Sequence, residues 1–129
     1  MAITMNHTGF VVKDLGRSLR FYRDGLGLEV YRELEVDAWG LSQVVGYEKA
    51  HIKVLMLVGD DGHVFELIEY VNPPGAVQDP AEQHRRAVTG AAHIAFFMDD
   101  VEMVYERLLS MGGQKLNPPL EVMPGLKAC

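Results

Sequence analysis

Apolar positions along the chain fall into short alternating runs and longer helical spacings, and the two alternate in a way that defines a module. Thr8 to Val12 is a strand-length apolar run. Asp14 follows as a helix N-cap candidate, and Leu15, Leu19, Tyr22 and Leu26 then fall at spacings that make one apolar helix face. Gly25 and Gly27 end that helix. Three further strands are expected at Leu28 to Arg32, Leu41 to Val45 (the weakest) and Ile52 to Val58, and a fourth at Val64 to Tyr70. Gly59-Asp60-Asp61-Gly62 joins the last two as a hairpin, with Asp-Gly the turn signal.

The opening of this pattern occurs twice. Asn6-His7-Thr8-Gly9-Phe10-Val11-Val12-Lys13-Asp14-Leu15 aligns without a gap on Ala92-His93-Ile94-Ala95-Phe96-Phe97-Met98-Asp99-Asp100-Val101, at a constant offset of 86 residues. His falls on His, Phe on Phe and Asp on Asp, and Gly27 falls on Gly113. The second copy is therefore expected to hold a strand over Ile94 to Met98. Its helix would begin near Asp99-Asp100, carry Val101, Val104, Leu108 and Met111 on one face, and stop at Gly112-Gly113. The fold class expected is α+β: two βαβββ modules forming a cupped mixed sheet with helices outside, in a single domain over 1–129. Module 1 covers 1–71 and module 2 covers 91–129. The Pro-containing stretch 72–90 links them, with a short helix around Ala81 to Ala87. At the same offset the counterpart of Tyr70 falls near position 156, so the second module is incomplete within these 129 residues.

The repeat turns attention to its histidines. Modules related by a pseudo-twofold axis bring equivalent strands together, so His7 and His93 can face one cavity. Strand alternation puts His7, Gly9 and Val11 on one face and His93, Ala95 and Phe97 on the equivalent one, with Gly9 and Ala95 leaving room beside each imidazole. Phe10, Val12, Ile94, Phe96 and Met98 point the other way and suit packing against helices. Glu66 stands in the middle of an apolar strand, where a carboxylate needs solvent or a cation. Glu69, three positions on, points to the opposite face. Either hairpin register considered, on Gly-Asp-Asp-Gly or on Asp-Gly, puts Lys53 on the face of Glu66 and Ile68. Trp39, Tyr70 and Phe97 are candidates to line an apolar pocket.

Composition narrows the classes. Acidic residues number 18 and basic residues 12, a net charge of -6, and the only basic doublet is Arg85-Arg86. No nucleic-acid partner is expected from that balance. No apolar run is long enough to span a bilayer, and no signal peptide is legible, so a cytoplasmic protein without a membrane partner is expected. Cys129 is the one cysteine, which leaves no internal disulfide.

At His7-Thr8-Gly9-Phe10-Val11-Val12-Lys13-Asp14-Leu15, Ser18-Leu19-Arg20-Phe21-Tyr22, Gly25-Leu26-Gly27-Leu28, Phe65-Glu66-Leu67-Ile68-Glu69-Tyr70 and Ala92-His93-Ile94-Ala95-Phe96 the sequence resembles the vicinal oxygen chelate superfamily. That superfamily includes glyoxalase I, methylmalonyl-CoA epimerase, extradiol dioxygenases and bleomycin-resistance proteins. The resemblance implies paired βαβββ modules around a divalent metal, with His7, Glu66 and His93 as its ligands. Zn, Ni, Co, Mn and Fe all suit two imidazoles and a carboxylate. Glu at position 66 favours the glyoxalase I-like branch. The expected activity is then that of a metal-dependent lyase or isomerase, lactoylglutathione lyase-like, acting on a small molecule with adjacent oxygens. The metal would polarise a carbonyl while a proton moves at the neighbouring carbon, with Glu66 the candidate base. Lys53, Tyr70 and Phe97 are the substrate-binding candidates. The alternatives are an Fe(II) extradiol-type dioxygenase and a metal-free, resistance-type binding protein. The family's fourth ligand, a Glu after an Asp-Pro-x-Gly turn, has no counterpart here. Gln43 stands where an epimerase would carry a base carboxylate on the expected strand Leu41 to Val45. The unfinished second module also predicts a homodimer, since uncovered strand edges and Leu116, Leu120, Val122 and Leu126 would seek a partner.

Overall fold

A computed structural model describes residues 1–76, 79, 87 and 89–129. It divides into two compact units, Met1–Gly75 and Ala76–Cys129. The fold is mixed α+β, with a four-stranded mixed sheet, a second small sheet and few helices. The helix expected around Ala81 to Ala87 and the Arg85-Arg86 doublet fall almost wholly outside the described residues.

The first unit runs β1 (Thr8–Val11), α1 (Leu15–Leu19), β2 (Glu29–Val36), α2 (Trp39–Val45), β3 (His51–Val58) and β4 (Val64–Asn72). Helix α1 continues into a π-helical turn, Arg20–Gly25. The sheet order is β1-β4-β3-β2, with β1 parallel to β4 and the other pairs antiparallel. This is the βαβββ module, with one addition between β2 and β3.

That addition corrects an expectation. Leu41 to Val45 is not a strand; it is most of α2. Leu41 and Val45 are four apart, which suits one helix face, and Gly46 follows in the left-handed conformation, φ 76°, where glycine carries no Cβ penalty. Its N–H donates to the Ser42 carbonyl at 3.0 Å and closes the helix.

Helix α1 starts as its sequence predicts: Asp14 accepts a hydrogen bond from the Arg17 N–H at 2.8 Å. The helix is also tied to the sheet, because the Leu15 N–H donates to Glu69 Oε2 at 2.7 Å. Leu15, Leu55, Leu57, Phe65 and Leu67 are buried, and they form the core between helix and sheet. Tyr22 closes it, its ring 4.8 Å from that of Phe65, which also meets Phe10 at 5.6 Å. Ile52 and Val54, on the other face of β3, are buried as well.

The β3–β4 hairpin carries the second correction. The last ladder pair is Val58 with Val64, so five residues, 59–63, lie between the strands. The Gly62 N–H donates to the Gly59 carbonyl at 2.9 Å, and Gly62 has φ 79°. This register differs by one residue from both turn geometries expected from sequence. A one-residue slip exchanges the faces. Lys53 therefore sits opposite Glu69, on the face away from Glu66 and Ile68.

The second unit holds α3 (Val101–Ser110) and a hairpin of β5 (Leu120–Met123) and β6 (Leu126–Ala128). Asp100 caps α3 by accepting from the Met103 N–H at 2.8 Å, and the Gly113 N–H reaches the Leu108 carbonyl at 2.9 Å beyond its end. Val101, Val104 and Leu108 are half-buried and Glu102, Glu106 and Arg107 exposed, as the spacing predicts. The Lys127 ammonium donates to Glu102 and ties β6 to α3. Contrary to expectation, Ile94 to Met98 does not form a strand. In the first module the equivalent run forms its strand by pairing with β4, a non-local contact that the run's own composition does not encode. The segment keeps the burial alternation of a strand: Ile94, Phe96 and Met98 are half-buried, while His93, Ala95 and Phe97 are exposed.

Candidate metal centre

His7 immediately precedes β1, and Glu66 lies in β4. Parallel pairing sets Gly9 directly beside Glu66, so alternation carries His7, Gly9 and Glu66 on the same side of the sheet. His7 Nε2 stands 3.3 Å from Glu66 Oε2. The Glu66 side chain is 13% exposed and that of His7 38%, so the carboxylate is the more enclosed partner.

Gly9 makes this approach possible. A Cβ at position 9 would lie 2.8 Å from Glu66 Oε2, a distance that side chains do not tolerate. The absence of a side chain there is therefore a requirement of the Glu66 position. Asn6 supplies the other constraint. Its Oδ1 is 2.6 Å from His7 Nδ1, and a carbonyl oxygen can only accept, so Nδ1 carries the proton. Nε2 is left to face the carboxylate. An imidazole nitrogen and a carboxylate oxygen at this separation can share one cation.

A metal ion fits this pair on two counts. Two ligand atoms each ~2.1 Å from one ion, at an angle of ~90–109°, stand about 3.0–3.4 Å apart, which covers the observed separation. Metal-bound imidazoles also characteristically donate their second N–H to an oxygen, as His7 does to Asn6. Among the described residues, no three His, Cys, Asp or Glu side chains converge closely enough to hold an ion. His93 belongs to the second unit, exposed and on the open face of its segment.

Residues 4–128 match the Glyoxalase/Bleomycin resistance protein/Dioxygenase superfamily. The chain belongs to that superfamily. Its fold agrees with solved structures. The glyoxalase family protein APC24694 from Bacillus cereus is 22% identical over 95% of this chain and 81% of that one, with a TM-score of 0.77. SMU.1112c is 26% identical over 87% of this chain and 77% of that one, with a TM-score of 0.54. No curated protein matches the chain significantly. Membership in the superfamily agrees with the module read from the repeat and with the mixed sheet that carries His7 and Glu66.

The substrate-binding candidates separate. Tyr70 is half-buried on the face of Glu66, four positions further along β4, and its ring meets that of Tyr47 at 6.0 Å. Lys53 is exposed on the opposite face. Phe97 is 98% exposed in the second unit. Sequence reasoning missed two further imidazole contacts: His63 Nε2 with Thr8 Oγ1 at 3.1 Å, and His51 Nε2 with Glu35 Oε1 at 2.7 Å. Glu35 and His51 lie on neighbouring strands, β2 and β3, so a correct register would have found that pair. Asn6 had its own signal, an amide adjacent to the repeated histidine.

Proposed function

We propose that this chain is a metal-dependent lyase or isomerase of the glyoxalase type, with His7, Glu66 and His93 as ligands of a divalent ion (Zn, Ni, Co, Mn or Fe). The carrying observation is the His7–Glu66 pair at 3.3 Å, with Asn6 fixing the imidazole tautomer and Gly9 clearing space for the carboxylate. His93 enters on the repeat, as the counterpart of His7, and on its exposure. When bound, the ion supplies Lewis acidity toward a substrate carbonyl or two adjacent oxygens.

The chain's own residues do the rest. Asn6 orients His7, and His7 holds Nε2 toward the site. Glu66 is the enclosed carboxylate and takes the proton from the carbon next to the substrate carbonyl at Oε2 or Oε1, then returns it to complete a lyase or isomerase cycle. Ile68 and Tyr70 extend the same face of β4 as a wall for the substrate body. The working form proposed is a cytoplasmic homodimer. Support for the dimer comes from β1 and β2 as sheet edges, and from Leu116, Leu120 and Val122, all exposed.

The test is proton exchange. The protein is loaded separately with Zn, Ni, Co and Mn and incubated in heavy water with α-hydroxy ketones and thiol adducts of α-keto aldehydes. NMR should record deuterium at the carbon next to the carbonyl, abolished by chelator and by Glu66→Gln. Exchange that persists in Glu66→Gln removes Glu66 as the base. Catechol cleavage with oxygen uptake by the iron form, in place of exchange, assigns the dioxygenase reading. Sedimentation at micromolar concentration tests the dimer, and a single 14.4 kDa species contradicts it.

A further inference from the structure

A concavity of the first unit is lined by neither His7 nor Glu66. It has a volume of about 870 Å³ and is formed around α2, the start of β3 and the end of β4. Asn72, on its wall, is six positions beyond Glu66 in β4, or about 20 Å at the rise of a strand. The concavity's Tyr47 meets Tyr70 at the outer end of the proposed substrate wall, but none of the proposed metal ligands lines it, and the inference drawn from it does not depend on metal binding.

Its walls are built and held. Lys49 is the only non-glycine with positive φ among the described residues, at 51°. A side-chain residue in that region is strained and needs its surroundings to hold it. The Asn72 amide donates to the Lys49 carbonyl at 2.7 Å. The Ala50 N–H donates to Ser42 Oγ at 2.9 Å, and Ala50 is completely buried. The loop between α2 and β3 is thus clamped at both its helix and its sheet side.

On this frame two aromatic side chains are presented to solvent. Trp39 is 78% exposed and Tyr47 51%, and both line the concavity. Helix α2 buries no side chain, so Trp39 is not there as a core residue. Asp37 and Glu48 line the same walls, against Lys49. His51 is engaged by Glu35, which brings a third carboxylate close behind the wall. Carboxylates outnumber the lysine, and exposed aromatic faces carry negative potential; both attract positive charge.

We propose that this concavity is a binding site for a small organic cation with an aromatic or apolar body, seated on Trp39 and Tyr47 and balanced by Asp37 and Glu48. The ring faces take the body and the cation's rim, and the two carboxylates set the sign of the charge accepted. Clamping of the loop by Asn72 and Ser42 reduces the ordering cost of binding.

Trp39 is the only tryptophan in the sequence, so its fluorescence reports this site directly. The full chain, in excess chelator, is titrated with benzyltrimethylammonium, benzyl alcohol and phenylacetate. The expected result is a saturable change with benzyltrimethylammonium, at concentrations about tenfold below those needed for the neutral and anionic probes. Asp37→Asn combined with Glu48→Gln should erase that tenfold advantage. Both residues are exposed, and an unchanged melting temperature confirms that the double variant is folded. Calorimetry with Trp39→Ala should show the cation's binding lost. Phenylacetate binding as tightly as the cation overturns the charge assignment. A cation advantage retained by the double variant removes the carboxylates from the site. No saturable change with any probe overturns the site itself.

Discussion

Replacing Gly9 by Ala separates the metal site from the fold more cleanly than removing a ligand. The new Cβ would meet Glu66 Oε2 at 2.8 Å, Ile68 Cδ1 at 3.7 Å and Glu66 Cβ at 3.8 Å. Only the first contact is too short, and it is with the free end of a flexible side chain. The carboxylate must retreat by about half an ångström, a larger move than the ~0.2 Å tolerance of ligand distances. It is the same oxygen that stands 3.3 Å from His7 Nε2, so the two donors no longer fit one ion. The expected loss of metal affinity is about 10–100-fold, or about 1.4–2.7 kcal/mol. Stability without metal should change by less than ~1 kcal/mol, because alanine suits a strand better than glycine by ~0.5–1 kcal/mol while an off-rotamer Glu66 costs ~0.5–1.5 kcal/mol. Calorimetric metal titration gives the first quantity and thermal melting in chelator the second. Gly40→Ala, where an added Cβ meets nothing within 4 Å, is the control and should bind metal as wild type does. A Gly9→Ala variant with affinity within about twofold of wild type would refute the reasoning.

Three further outcomes follow from packing and charge. Leu57→Ala, at a fully buried site, should cost about 2–5 kcal/mol in denaturant unfolding, with the slope unchanged. Burial raises the Tyr22 phenol above the ordinary 10.0, so the folded chain retains a proton that the unfolded chain releases. That contribution is complete below pH 10.0 and lost as pH rises through the raised value; absorbance titration should show Tyr22 ionising late, with unfolding. The hydrogen bond from Lys127 holds the Glu102 carboxyl below the ordinary 4.5. Its contribution is present above pH 4.5 and disappears as pH falls through the lowered value, and Lys127→Ala should bring the NMR titration of Glu102 back up toward 4.5.

Much of this structure was legible because independent signals agreed. The strand–helix opening at Thr8 to Leu19, the Asp14 and Asp100 caps and the shared face of His7 and Gly9 each follow from local chemistry, and the structure carries them; Glu66 joins that face only through the pairing of β1 with β4. The misreadings share a different cause. Leu41 to Val45 is short and apolar, and five such residues do not distinguish strand from helix by pattern; the Gly46 that follows was the stronger clue. The face of Lys53 depends on loop length, and the five-residue connection 59–63 differs by one from both the Gly-Asp-Asp-Gly and the Asp-Gly registers. Ile94 to Met98 has the composition and the burial alternation of a strand, but strand formation rests on ladder pairing, which is not a local property. The concavity around α2 is likewise not a local property, since Asn72 of β4 closes walls otherwise built from residues 37–51.

The central claim is that His7, Glu66 and His93 together hold one divalent ion, and a metal titration of the full chain tests it most directly. Chelator-stripped protein is titrated calorimetrically with Zn and Ni, alongside His7→Ala, Glu66→Gln and His93→Ala, with circular dichroism confirming that each variant is folded. The account predicts one ion per chain for the wild type and a loss exceeding the ~10–100-fold typical of outer-sphere changes for each of the three variants. Wild-type protein that binds no ion, or a folded His93→Ala variant that binds as tightly as wild type, would contradict it.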